Sequence, residues 1–318
     1  MSTLTLAEID DDIAWDAAIE ASEQATVFAR SAHLQALGLP LRRLAVRAGG
    51  RTVALLPLVL DATREHVVAA PFTPYLGPLF VHEPAALPRQ RVLDEYRIGE
   101  FLVTELTGRY PRIAMGLHWT VQDLRPFLWH NYHEAGAPRF TVSPRYTAVL
   151  DVADADVDRL AADARACRRQ ELRKASAHVL REHTDPDEFL RLYRATFERQ
   201  DIALPAAMLA QVRRITEAAL AHGYGRLSAC ETPDGPASMN LFVYDRRRAY
   251  YLFAANDPAQ RATGAATRLM FDNLAEAGRR GLAEVDFVGV NSPNRGDFKL
   301  SFNPGLRLYF DVALNPPP

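Results

Sequence analysis

The sequence predicts an α/β protein of the α+β kind, built as two tandem domains of one fold, each a mixed, mostly antiparallel sheet flanked by helices. Three observations predict it. The chain has 318 residues, and at roughly 150 residues per domain that length corresponds to two. Hydrophobic residues make up 48% and charged residues 24%, the composition of packed cores rather than of a disordered or low-complexity chain. The two halves also repeat one order of elements: helices, antiparallel strands, then strand, loop, helix, strand and short helix. The passage Glu105 to Gly116 has its counterpart in Ala277 to Gly289, and self-similarity of this kind is the mark of a duplicated unit. The domains are placed at residues 1–145 and 146–318.

In the first half, Ile13 to Ser22 and Arg30 to Leu37 read as helices. Strand-like runs follow at Leu41 to Arg47, Thr52 to Leu60 and His66 to Ala70, the first two joined by the hairpin turn Ala48-Gly49-Gly50-Arg51. Three prolines and a glycine between Pro71 and Pro78 exclude both helix and central strand there. A helix from Arg89 to Gly108 takes its apolar face from Leu93, Tyr96, Ile98, Phe101, Leu102 and Leu106. A strand at Arg112 to Leu117 and a short helix near Gln122 to His130 complete this half.

The second half opens on a strand, Tyr146 to Val152, and a long helix from Asp156 to Val179. Further helices run from Pro186 to Gln200, with Asp185 as N-cap, and from Pro205 to His222, closed by Gly223. Strands at Gly225 to Glu231, Ala237 to Tyr244 and Ala249 to Ala255 precede a helix, Ala265 to Arg279, that ends where Gly281 supplies the C′ residue. A strand at Glu284 to Val290, a helical segment near Arg295 to Phe302 and a strand at Arg307 to Ala313 follow. The tail from Asn315 to Pro318 is expected to be disordered.

A net charge of −2 argues against a duplex-DNA binder. Cys167 and Cys230 are too few for a disulfide framework, and a reducing cytosol is the expected compartment. The opening stretch is acidic, so no secretory leader is expected. The most apolar run, Val53 to Leu60, is too short to span a bilayer. His130 and His133 lack further ligands, so no metal site is expected. Cys230 has no local histidine and reads as a core thiol. Among 37 basic residues only Lys174 and Lys299 are lysines, the footprint of a GC-rich genome, so each lysine that is present merits attention.

The sharpest chemical signal is Arg261-Ala262-Thr263-Gly264-Ala265-Ala266. It follows a strand and opens a helix whose N–H groups and dipole favour an anion, and its glycine lets backbone approach a ligand closely. A pyrophosphate needs such a seat.

This Arg-x-x-Gly-x-Ala loop resembles the acyl-CoA pyrophosphate loop of GNAT N-acetyltransferases. The resemblance extends to the double-GNAT group that includes Fem-type peptidoglycan aminoacyl-transferases and BioF-like acetyltransferase domains. It is carried by the basic helix Arg168 to Ala175, the following Leu192 to Gln200, Asp286-Phe287-Val288-Gly289, Phe298-Lys299-Leu300-Ser301-Phe302 and the proline-glycine loop Pro71 to Phe80. It covers nearly the whole chain.

What the resemblance implies is acyl transfer from acetyl-CoA or another acyl-CoA, bound by Arg261, Ala262, Thr263, Gly264, Ala265 and Ala266, to the amine of a small-molecule or peptide acceptor. An alternative is transfer of an aminoacyl group from aminoacyl-tRNA, and a third is a non-catalytic binding protein that kept the fold. The attacking amine must lose a proton, for which Asp257, Asp286 and Glu231 are the candidates, with Tyr250 or Tyr251 behind them. Many GNAT enzymes carry a tyrosine after the last parallel strand to protonate the leaving group; Phe298 stands in that area and the nearest tyrosine is Tyr309. The resemblance places Lys299 at the transfer site, as a fixed cation for a phosphate or a developing negative charge. Lys174, Arg168, Arg169 and Arg173 form a basic helical surface, either solvated or a phosphate contact. Tyr75, Tyr251 and Asn291 are the substrate-facing candidates. The Tyr75 to Pro78 loop is read as the first domain's counterpart of Arg261 to Ala266; lacking that pattern, it is expected to bind no CoA and instead to wall an acceptor cleft.

Overall fold

Alternating and short apolar runs make the strands, and their pairing sets two units. The structure, a computed structural model, describes residues 3–315; Pro316, Pro317 and Pro318, where most of the tail expected to be disordered falls, lie outside the described residues. One unit comprises residues up to Arg145 together with those from Leu308, and the other runs from Tyr146 to Arg307. The stretch from Leu308 is thus grouped with the first unit, although chain order assigned it to the second.

The first unit contains β1 (Leu4–Glu8), α1 (Asp12–Ile19), α2 (Ser31–Ala36), β2 (Leu41–Ala48), β3 (Arg51–Val59), β4 (Leu79–Phe80), α3 (Pro88–Thr107), β5 (Ile113–Gly116) and α4 (Arg125–Leu128). Strands β1 to β4 form an antiparallel sheet in chain order. The β2–β3 hairpin turns on Gly49 and Gly50, both in the left-handed region. Trp15 is fully buried and donates its indole N–H to Ala29 O at 2.8 Å. Ile98, Leu102, Val103 and Leu106 of α3 bury one face in the core with Leu56, Leu58 and Phe127.

Next in the chain come β6 (Phe140–Asp151), α5 (Val157–Asp163), α6 (Ala166–Lys174), β7 (Val179–His183), α7 (Asp187–Glu198), α8 (Ala206–Ala221), β8 (Gly225–Thr232), β9 (Gly235–Tyr244), β10 (Arg248–Asn256), α9 (Ala265–Arg279), β11 (Glu284–Asp286), α10 (Pro293–Leu300) and β12 (Gly305–Leu314). In the second unit β7, β8, β9 and β10 run antiparallel in sequence. Strand β10 then pairs parallel with β11, which pairs antiparallel with β6. The right-handed default of such a parallel crossover is served by α9. Helix α9 buries Leu269, Met270, Phe271 and Leu274, each worth about 1.5–3 kcal/mol of burial.

Several sequence expectations are corrected. The long helix from Asp156 to Val179 is broken: Ala164 is extended, the Arg165 N–H bonds to Ser301 O at 3.0 Å, and the Arg169 guanidinium caps the carbonyls of Ala162 and Ala164. Val179 begins strand β7 rather than ending a helix. The run His66 to Ala70 is not a strand but an isolated bridge at Val67, because Asp61 draws the chain into a turn by accepting the N–H groups of Glu65 and His66. The strand expected through Val290 stops at Asp286. Strand β1 was not foreseen.

The two units do repeat one order. Strand β1, two helices, three strands, α3, β5 and α4 correspond to β7, α7, α8, three strands, α9, β11 and α10. This alignment moves one expectation. The counterpart of Arg261 to Ala266 is the segment from Val81 to Leu87 between β4 and α3, not Tyr75 to Pro78, which precedes β4. The Pro74–Leu76 stretch instead lies along the end of β5, with the Leu76 N–H on Gly116 O at 3.0 Å. A Cβ on Gly116 would overlap Pro74 O. Over-packing of this kind typically costs about 1–3 kcal/mol, so Gly116→Ala is expected to lower the urea unfolding midpoint correspondingly; an unchanged midpoint would mean that the loop backs away freely.

Candidate functional site

The chemistry-bearing residues of the second unit gather where β10 and β11 part. The two strands pair only from Arg248 to Tyr250 and from Glu284 to Asp286. Beyond that, β10 continues to Asn256 while β11 has ended. The register of β10 against β9 skips Leu252 between Tyr251 and Phe253, a bulge that takes one residue out of the ladder and re-aims its backbone.

Strand β11 ends because Val288 and Gly289 adopt φ +51° and +71°. A β-branched residue with positive φ is an outlier, costing roughly 1–3 kcal/mol. Its surroundings hold it there. Asp286 Oδ1 accepts the Val288 N–H at 2.8 Å and the Thr147 hydroxyl at 2.5 Å. Thr147 Oγ1 accepts the Gly289 N–H at 3.2 Å, and the Val290 N–H reaches Tyr146 O at 3.0 Å.

The turn directs two successive carbonyls at one side chain. Lys299 Nζ donates to Val288 O at 2.8 Å and to Gly289 O at 2.9 Å, and stands 5.5 Å from the centre of the Tyr251 ring. An ammonium has three donors, so one remains. Burial lowers the Lys299 pKa to about 8, with Arg295 acting in the same sense and Asp286 opposing it. Helix α10 is fixed by Phe302, which is buried against Phe271 and Phe287, and Phe298 packs edge-on against Phe302. Arg295, one turn before Lys299, lies 5.1 Å over the Phe197 ring at the end of α7.

The loop Arg261 to Ala266 lies beside this site in the chain. Residues Pro258–Thr263 form a 3-10 turn, Gly264 has φ +81°, and α9 begins at Ala265. Gly264 is needed twice over: for that φ, and because a Cβ would stand 2.5 Å from Glu171 O of α6. The glycine thus permits the close approach of α6. Lys174 donates to Ala262 O at 2.5 Å, His178 Nε2 lies 3.2 Å from Thr263 O, and Arg268 donates to Ser176 O at 2.7 Å. Lys174, one of the basic-helix residues, is thus attached to the loop. Cations of α6 and α9 flank the loop, while Ala265 and Thr267 in the first turn of α9 are buried.

The remaining predicted residues fall elsewhere. Asp286, taken as a base candidate, is fully buried and holds the β11 turn, so it is a positioning residue. Asp257 caps the 3-10 turn, and hydrogen bonds from the Gln260 side chain and the Ala259 N–H hold its carboxyl below its usual range. Glu231 pairs with Arg181 at 2.7 Å and His183 at 3.3 Å. Tyr250 is buried on Asp245 at 2.5 Å, and burial drives its pKa well above the ordinary value, as it does for Tyr251. Asn291 pins the Tyr146 backbone in both directions, at 2.8 and 2.9 Å. Tyr309 belongs to the first unit, buried against Tyr75 at 5.3 Å. Tyr75 itself is a core residue ringed by Phe28, His118 and Trp119, not an exposed wall. Burial pushes the Cys230 thiol to about 11. Among the described residues, no cluster of His, Cys, Asp or Glu could hold a metal ion, and no helix is long and apolar enough to cross a membrane. Thr147 and the Val288–Gly289 turn were missed; the Val-Gly pair after a strand was the signal available.

The family model described as an acetyltransferase (GNAT) domain matches residues 134–299. No curated protein sequence matches the chain. Among solved structures, the chain is similar to FemX at TM-score 0.67 and 13% identity, covering 96% of each chain. It is similar to a tandem GNAT protein from the clavulanic acid biosynthesis pathway at TM-score 0.54 and 15% identity, covering 99% of this chain and 100% of that one. L-PGS from Bacillus licheniformis matches at TM-score 0.53 and 12% identity, over 96% and 92%. Likenesses at such identity concern the fold.

Gly264→Ala is expected to destabilise the protein by about 1–2 kcal/mol for the left-handed backbone alone, with the Glu171 contact adding to it. A thermal scan checks this; no loss would mean that α6 does not pack on the loop.

Proposed function

Because the chain belongs to the acetyltransferase (GNAT) domain family and is an acyltransferase, we propose that its second unit moves an acyl group from acyl-CoA to the amine of a small-molecule or peptide acceptor, with Lys299 as the fixed cation. The observation that carries this reading is Lys299 held by Val288 O and Gly289 O where β10 and β11 part. On the same reading the first unit is a degenerate copy that holds no donor.

The Arg261–Ala266 loop would hold the phosphates of the donor. The carbonyl under attack develops negative charge on oxygen as the tetrahedral intermediate forms. The remaining Lys299 donor stabilises that charge, and the backbone at the Leu252 bulge is a second source of donors. Collapse of the intermediate breaks the C–S bond and expels the thiolate, which takes a proton from the Lys299 ammonium, whose pKa is about 8; the proton shed by the attacking nitrogen as the C–N bond forms passes through water and restores the ammonium. The three proposed base carboxylates are engaged elsewhere, so the amine enters as its free base.

A second reading, transfer from aminoacyl-tRNA, is favoured by the backbone of α6 packed on Gly264, which narrows the approach to the loop. Purified protein incubated with acetyl-CoA and longer acyl-CoAs plus an amine pool should release thiol only when amine is present. Absence of release, together with transfer by an extract that RNase abolishes, would sink the CoA reading and support the second.

Lys299→Met should reduce kcat by about 10²–10³, the range for loss of one oxyanion donor. The pH dependence separates charge from structure. For an alkyl amine with a pKa near ~10, the free-base fraction rises with pH while the ammonium fraction of Lys299 falls above about 8. Wild-type kcat/KM should therefore climb with pH and level off near 8. Lys299→Arg, slower but always charged, should keep climbing. A plateau at the same pH in both proteins would contradict the role.

A further inference from the structure

Arg168 touches both halves of this machinery. It projects from α6, and its Nη1 donates to Thr267 Oγ1 in the first turn of α9 at 2.9 Å and to Glu171 Oε2 at 2.7 Å. The Thr267 hydroxyl donates to the same Glu171 oxygen. The guanidinium carbon also lies 5.1 Å over the ring of Phe298, the residue preceding Lys299 on α10. The side chain is 16% exposed, and its Nε is buried with no hydrogen-bond partner among the described residues.

We infer that Arg168 is a positioning residue that couples occupancy of the Arg261–Ala266 loop to Lys299. The inference rests on the reading that this loop holds the donor. Glu171 is the resting partner of both Arg168 and Thr267. A donor phosphate reaching the first turn of α9 competes with that carboxylate for the same two groups, because a guanidinium and a hydroxyl serve phosphate as readily as carboxylate. The guanidinium is one rigid plane. It cannot turn toward a new anion without changing its stacking on Phe298, and the change is passed along α10 to Lys299. The helix earlier read as either solvated or phosphate-contacting is thus the relay between the donor loop and the transfer site.

Lysine scarcity supplies the assay. Lys174 and Lys299 are the only lysines, so protein grown on 13C-lysine shows two Cε signals. Lys174 bonds to Ala262 O inside the loop and reports local binding, while Lys299 reports the transfer site. Titrating the full chain with CoA, and separately with inorganic pyrophosphate, should move both signals in the wild type. In Arg168→Met the Lys174 signal should still move and the Lys299 signal should not. Phe298→Leu, which keeps bulk but removes the ring, should decouple them in the same way and serves if Arg168→Met fails to fold. The proposal is overturned alone if Lys174 moves while Lys299 stays still in the wild type, or if Lys299 moves equally in the variants. If neither signal responds to CoA or pyrophosphate, the donor reading fails and takes the coupling with it.

Discussion

The candidate site of the second unit depends on two consecutive residues in the left-handed region, Val288 and Gly289. By stopping β11 after three residues they part it from β10, and they aim two carbonyls at a single ammonium. The strain at Val288 persists because Asp286 and Thr147 over-determine the turn through the Val288 and Gly289 N–H groups. This explains a buried aspartate that would otherwise pass for a catalytic base. Its charge serves the backbone, and at longer range it keeps Lys299 from losing its proton at still lower pH.

The duplicated order of elements ends differently in the two units. In the first unit the corresponding strand, β5, ends against Pro74–Leu76, with Gly116 so close to Pro74 that no side chain fits. In the second unit the strand end turns onto a lysine instead. The proline-glycine loop therefore does packing work, and Tyr75 joins it as a core aromatic. Function follows the local site rather than the shared architecture.

Features governed by local physics were legible. The period of α9, the glycines of the β2–β3 hairpin, the Gly281 terminus and the Arg-x-x-Gly-x-Ala loop all follow from neighbours within a few residues. Lys299 stood out only because lysine is so rare here. The misses share a different cause. The break before α6 depends on Arg165 reaching Ser301, more than a hundred residues away; the end of β11 depends on Thr147; the partners of Glu231 lie on β7, a strand with no predicted element beyond Val179. Period and propensity do not register contacts at such separation. Gly264 is expected from the sequence to let a ligand approach the backbone, and its missing side chain makes room for α6.

Composition and site geometry meet at Lys299. This chain uses arginine almost everywhere a cation is needed, and an arginine at 299 would not lack charge. It would lack shape and acidity. A planar fork suits two parallel acceptors, as in a carboxylate, whereas Val288 O and Gly289 O are successive carbonyls converging on one point. A compact ammonium meets both and keeps a third N–H, which the proposed function assigns to the reacting carbonyl. A guanidinium also stays protonated at any working pH, while burial brings the lysine to about 8, where, on the proposed acyl-CoA reading, it would give a proton to the departing thiolate and regain the one the amine sheds. The proposed proton transfer, rather than charge alone, would thus account for an exception to the chain's arginine habit at this one buried position.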